Sequence, residues 1–138
     1  MYKPSNIQSV NQIELALNEI QPFIEADYTA DNIDAVINRA QTLEAYLAQS
    51  SKMLADAKYR HSEFLNTTFM QSIREAVRVN MSASITNKYI DSLCRDYKYL
   101  VDWCDRVNAT ITHELDFCRT LISKIKEEMK QLNFGNNY

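Results

Sequence analysis

The chain has 138 residues, with 15 basic and 18 acidic side chains, a net charge of -3, one glycine and two prolines. So few turn-forming residues argue against an all-β fold and for long uninterrupted helices around one modest core. The balance lacks the basic surplus expected of a protein that lives on duplex DNA, and no run of about 18 apolar residues is present to cross a membrane.

The first helix carries Ile7, Val10, Ile13, Leu17 and Ile20, with Ser5 or Ser9 as its cap, and is expected over about 6–21. Pro22 either ends it near Ile20 or kinks it into Phe23 and Ile24. Asp31 is the expected cap of a second helix over 32–79, with Asp34 in its first turn and an apolar row running from Ile33 to Val77. At 1.5 Å per residue that helix is roughly 70 Å long. Asn80 to Ser84 reads as the turn, with Ser82 or Ser84 capping a third helix over 85–132. Gly135 is the stop signal, and Asn136, Asn137 and Tyr138 are expected to be loose.

The third helix organises the chain. Leu93, Tyr97, Leu100, Cys104, Val107, Ile111, Glu114, Cys118, Leu121, Ile125, Glu128 and Leu132 alternate spacings of four and three, an a/d heptad seam with two glutamates as its only charged members. Two long helices and a short turn predict an all-α fold. It is a long antiparallel, coiled-coil-like helical hairpin that the short N-terminal helix completes as a three-helix bundle in a single domain, 1–138. Leftover apolar surface predicts a homo-oligomer, with Tyr97, Leu100, Trp103, Val107 and Ile111 as interface candidates.

The hairpin register, taken from the turn, pairs residues whose numbers sum to about 165. It brings the polar stretch Ser50, Ser51, Lys58, His61 and Ser62 opposite Trp103, Asp105, Arg106, Asn108, Thr110, Thr112 and His113. Polar groups in a bundle centre must bond one another, hold water or serve a ligand. Asp102, Arg106, His113 and Thr120 share one face of the third helix within about 40°, with Asp116 at its edge. An Arg, a His and hydroxyls on one face suit an anion or phosphate, while the plain alternative is a solvated helix face. The ligand candidates are therefore Arg106, His113, Thr120, Asp116, Asn108, Lys58 and His61.

Enzyme signatures are absent: there is no phosphate-binding glycine loop, no H-E-x-x-H and no paired Glu-x-x-His. No catalytic residue, metal ligand or cofactor is expected. The three cysteines form no C-x-x-C, and their odd number fits a reducing, cytoplasmic setting. Cys104 and Cys118 read as small buried hydrophobes, and only Cys94, beside Arg95, suggests an electropositive thiol site.

The block Tyr99 to Ser123, which includes Trp103, Arg106, Asn108, Thr112, His113, Asp116, Arg119 and Thr120, resembles a segment shared by small helical proteins of gut bacteriophages and mobile elements. The resemblance covers about the last third of the chain. It implies a setting, a phage inside a bacterial cell, and no activity. Thr112-His113 followed by an apolar helix with Leu121 is also similar to the small helical phage proteins that sequester cyclic-oligonucleotide immune signals. This chain is longer and carries a second long helix, so no binding residue is carried over from them.

Three functions follow as expectations. The first is a non-enzymatic, oligomeric interaction module, a phage accessory factor with a host or phage protein as partner. The second is an anti-defence binder of a cyclic nucleotide. The third is a weak nucleic-acid binder using Lys52, Lys58, Arg60, Arg74, Arg78, Lys88, Arg95 and Lys98, against which the interspersed acids count.

Overall fold

The computed structural model describes residues 1–135; the expected loose tail at 136–138 lies outside the described residues. Three helices follow in order: α1 (Val10–Glu25), α2 (Ile33–Val79) and α3 (Ala83–Gly135). The helices α2 and α3 pack along their length as an antiparallel hairpin, and α1 lies against both. No described helix is long and apolar enough to cross a membrane.

Local chemistry sets each boundary. Ser9 caps α1 in a reciprocal box: its hydroxyl accepts the Gln12 N–H, and the Gln12 side chain accepts the Ser9 N–H. Helix α1 therefore starts later than 6, and it runs through Pro22 to Glu25. Pro22 lies in the last turn, and Phe23 beyond it packs edge-on against Tyr46 with ring centroids 5.3 Å apart. The cap of α2 is Asn32, not Asp31: its Oδ1 accepts the N–H groups of Asp34 and Ala35. The turn falls on Asn80, Met81 and Ser82. Asn80 takes the left-handed conformation (φ 55°) that ends a helix, in a chain with a single glycine to spare for such positions. Ser82 Oγ then accepts the Ile85 N–H, so α3 begins two residues before the expected 85.

The core runs where all three helices meet: Ile13, Leu17 and Ile20 from α1, Val36, Leu43, Met53 and Ala57 from α2, and Leu100, Cys104, Val107, Ile111, Leu115 and Cys118 from α3. The stretch ahead of α1 is tied down by charge. Asp56 accepts the Gln8 N–H at 3.0 Å and Lys52 Nζ at 2.6 Å. Arg60 donates to the carbonyls of Ile7 and Gln8, and Lys52 to that of Asn6.

The seam departs from strict heptads at both ends. Near the turn the buried residues are Thr86, Ile90 and Cys94, and Leu93 is exposed. Past Ile122 no residue of α3 belongs to the core, because α2 starts at Ile33 and offers nothing opposite. The register is also shorter than expected. Phe64 stacks on Tyr97, Asn108 meets Ser50 and Ser51, and Arg39 meets Glu114. Each pair falls short of the expected sum, and the shortfall grows toward the open end. Near the turn the cause is a pivot on Met81, earlier than assumed.

Candidate functional site

The mid-length polar zones meet at one point, Asn108 with Ser50 and Ser51. Asn108 Nδ2 donates to Ser50 Oγ at 3.0 Å and to Ser51 Oγ at 2.9 Å. Both hydroxyls donate in turn to the Leu47 carbonyl. A hydroxyl that donates once keeps lone pairs free to accept, so the fully buried Ser50 is satisfied on both counts. Asn108 is thereby a buckle between helices.

The remaining ligand candidates scatter. Arg106, His113, Asp116 and Thr120 are all exposed. Asp116 pairs with Arg119 at 2.8 Å, and the Thr120 hydroxyl donates to the Asp116 carbonyl. Arg106 lines a small groove against α1 with Gln21, Ile24 and Glu25. Among the described residues, His113 has no hydrogen-bond or ion-pair partner. This is the geometry of a solvated face, with no point on which its groups converge. His61 lies elsewhere, half-buried in a groove of about 630 Å3 with Leu65, Lys88, Asp91, Arg95 and Lys98. Lys58 is exposed one turn before it.

Packing within the chain occupies several of the residues with expected roles. Leu100, Val107 and Ile111 are buried in the chain's own core, so they do not form an interface with another copy; Leu100 keeps 6% of its surface, at the floor of a side groove. Tyr97 is half-buried and stacked on Phe64 at 4.4 Å, and Trp103 Nε1 donates to Gln21 Oε1 at 3.0 Å. Cys94 is buried, and its thiol is pushed up by burial and by Asp91 nearby, the opposite of an activated nucleophile. Of the basic residues, Lys52 and Arg60 are spent on the segment before α1, and Arg78 pairs with Glu75.

Composition is inverted at the turn end of the hairpin, beyond the reach of α1. The buried positions there include Thr68, Ser72 and Thr86, small hydroxyl residues. The large apolar side chains face outward: Phe69 is 46% exposed, Ile73 39% and Val77 73%, in steps of four along α2, with Ile85, Tyr89 and Leu93 exposed on α3. Phe69, Ile73 and Val77 line a groove of about 600 Å3 that Met81 and Thr86 close at the turn. A row at that spacing is one face of a helix, and among the described residues nothing covers its exposed part.

No protein-family model, curated protein or solved structure matches the chain.

Arg39 and Asp56 are structural anchors that the apolar spacing of α2 does not single out. Arg39 is 7% exposed and pairs with Glu114 at 2.8 Å. A glutamate inside a heptad seam, as Glu114 is, calls for a cation opposite it. Periodicity alone shows that the tip helix has an apolar face, not which molecule covers it.

Proposed function

We propose that this protein is a non-enzymatic helical interaction module that self-associates through the turn end of its hairpin. The inverted tip carries this reading. Thr68, Ser72 and Thr86 take buried positions beside Ile90 and Cys94, while Phe69, Ile73 and Val77 keep 46%, 39% and 73% of their surface exposed. Each such side chain is worth about 1.5–3 kcal/mol when fully buried, so packing two tips together stabilises both. A second copy is the occupant because the row repeats at four-residue spacing and two such rows interdigitate as helix ridges. In the setting the resemblance implies, a phage inside a bacterial cell, the assembled rod acts by holding a host or phage protein.

The test is light scattering across about 1–100 μM, a range that spans ordinary association constants. The expected result is a concentration-dependent oligomer that becomes monomeric in the Ile73→Glu, Val77→Glu double variant, with unchanged helicity. A monomer throughout, or a variant that assembles like the parent, overturns the reading.

A second reading, a binder of phosphate-rich signals such as cyclic oligonucleotides, is favoured by the groove of His61, Lys88, Arg95 and Lys98, where Asp91 is the one acid. Calorimetric titration with cyclic di- and trinucleotides tests it. No affinity better than high micromolar removes it.

A further inference from the structure

A second groove, between α1 and α3 and remote from the turn, has the opposite chemistry. It encloses about 390 Å3, and its lining includes Glu14, Asp96, Tyr97, Tyr99, Leu100 and Trp103. That volume is within the range of small-molecule sites. The two carboxylates are its charged members, and no basic side chain lines it. Helix α1 contains no lysine or arginine, and neither acid has one three or four residues away on its own helix. Among the described residues neither carboxylate has a hydrogen-bond or ion-pair partner, so both are free to receive a cation.

The rings are held in place before any ligand arrives. Trp103 is fixed by its bond from Nε1 to Gln21 Oε1, and Tyr97 by its stack on Phe64, tilted only 19°. Tyr99 and Trp103 stand 6.1 Å apart between centroids at 49°, two differently oriented walls of one groove. Leu100, 6% exposed, is its apolar floor. Ring faces carry negative charge and attract cations, and adjacent carboxylates add to that attraction. An anion is repelled here, and a neutral apolar ligand leaves the carboxylates unanswered. The chemistry suits an alkyl chain that ends in an ammonium group.

We infer that this groove binds an alkylammonium group, its methylenes on Tyr99, Leu100 and Trp103 and its charge at Glu14 and Asp96. Such a group comes either from a free polyamine or from a lysine side chain of a protein. The site is independent of self-association at the tip.

Trp103 is the chain's single tryptophan and stands between this groove and the one beside Arg106, so its fluorescence reports binding at either, and the Glu14, Asp96 variant assigns the signal to this one. The protein is titrated at constant ionic strength with spermidine and, separately, with acetyl-lysine methylamide; hexanediol serves as the uncharged control. The expected result is a saturable change with at least one amine, none with hexanediol, and at least tenfold weaker binding in the Glu14→Gln, Asp96→Asn variant. Both positions are exposed, so the variant keeps the fold, which its circular dichroism checks. Saturation by spermidine alone assigns the site to free polyamines; saturation by the lysine derivative as well assigns it to the ammonium group whatever carries it. No saturable change with either amine, or equal binding by the variant, overturns the inference.

Discussion

Arg39 of α2 donates to Glu114 of α3 at 2.8 Å, and the same guanidinium lies over the rings of Phe23 and Tyr28, at 4.8 and 4.4 Å from their centroids. Its remaining donors reach the carbonyls of Phe23 and Ile24 at the end of α1, and its Nε has no partner. One buried cation thus joins all three helices and the segment between α1 and α2. Removing its counter-charge strands it. Glu114→Ala is expected to destabilise the fold by about 3 kcal/mol, and Arg39→Met by less, because methionine fills the space without needing a counter-charge. Urea unfolding of both variants checks the order, and the reverse order refutes it.

Alkaline pH should loosen the core. Burial pushes the Cys104 thiol from 9.0 to about 11. Cys94 is raised mainly by burial, and so is the Tyr28 hydroxyl, with Cys118 beside it adding to the effect. Between pH 9 and 11 the unfolded chain has lost the Cys104 proton while the folded chain still holds it. The associated stability is therefore complete below pH 9 and lost as pH rises toward 11, to an extent on the order of 2–3 kcal/mol. Urea midpoints from pH 8 to 11 should fall, and fall less steeply in Cys104→Ala. Parallel curves would dismiss the role of Cys104.

The Asn108 buckle should be a structural element. Asn108→Ala frees the Ser50 and Ser51 hydroxyls from their cross-helix donor and is expected to cost about 1 kcal/mol per lost bond. A double-mutant cycle with Ser50→Ala isolates the pair, and a coupling energy near zero would show the contact to be incidental.

The polar face of α3 should tolerate change. Arg106→Ala and His113→Ala are expected to shift stability by no more than about 0.5 kcal/mol, whereas Ile111→Ala, fully buried, should cost about 2–5 kcal/mol. Thermal melts of the three variants decide it. Unfolding of Arg106→Ala on the scale of Ile111→Ala would mean that the face is packed.

The helices were legible in the sequence because spacing alone specifies them. From Leu100 to Ile111 the seam is buried residue for residue. Leu93 and Cys94 could not be told apart by periodicity, since neighbours on a helix differ by only 100° and the opposing side chains settle which one turns inward. Here the opposing Thr68 and Ser72 are small, and the leucine faces out. The cap at Asn32 is one residue from the expected Asp31, as either side chain can accept those N–H groups. The candidate ligand residues were legible as polar but not as a cluster. Convergence depends on where α1 lies: Glu114 in the seam calls for a cation, but linear spacing names neither Arg39 as that cation nor the groove at Trp103.

The part of α3 beyond Ile122 stands clear of the core and bears Met129, Leu132 and Phe134 in water. It lies at the far end of the rod from the outward row at the turn, roughly 70 Å away at 1.5 Å per residue. Under the proposed self-association at the turn, helix length sets how far this second apolar end stands from the joined tips. Removing matched heptads from α2 and α3 is expected to shorten that separation and leave the outward row at the turn unchanged.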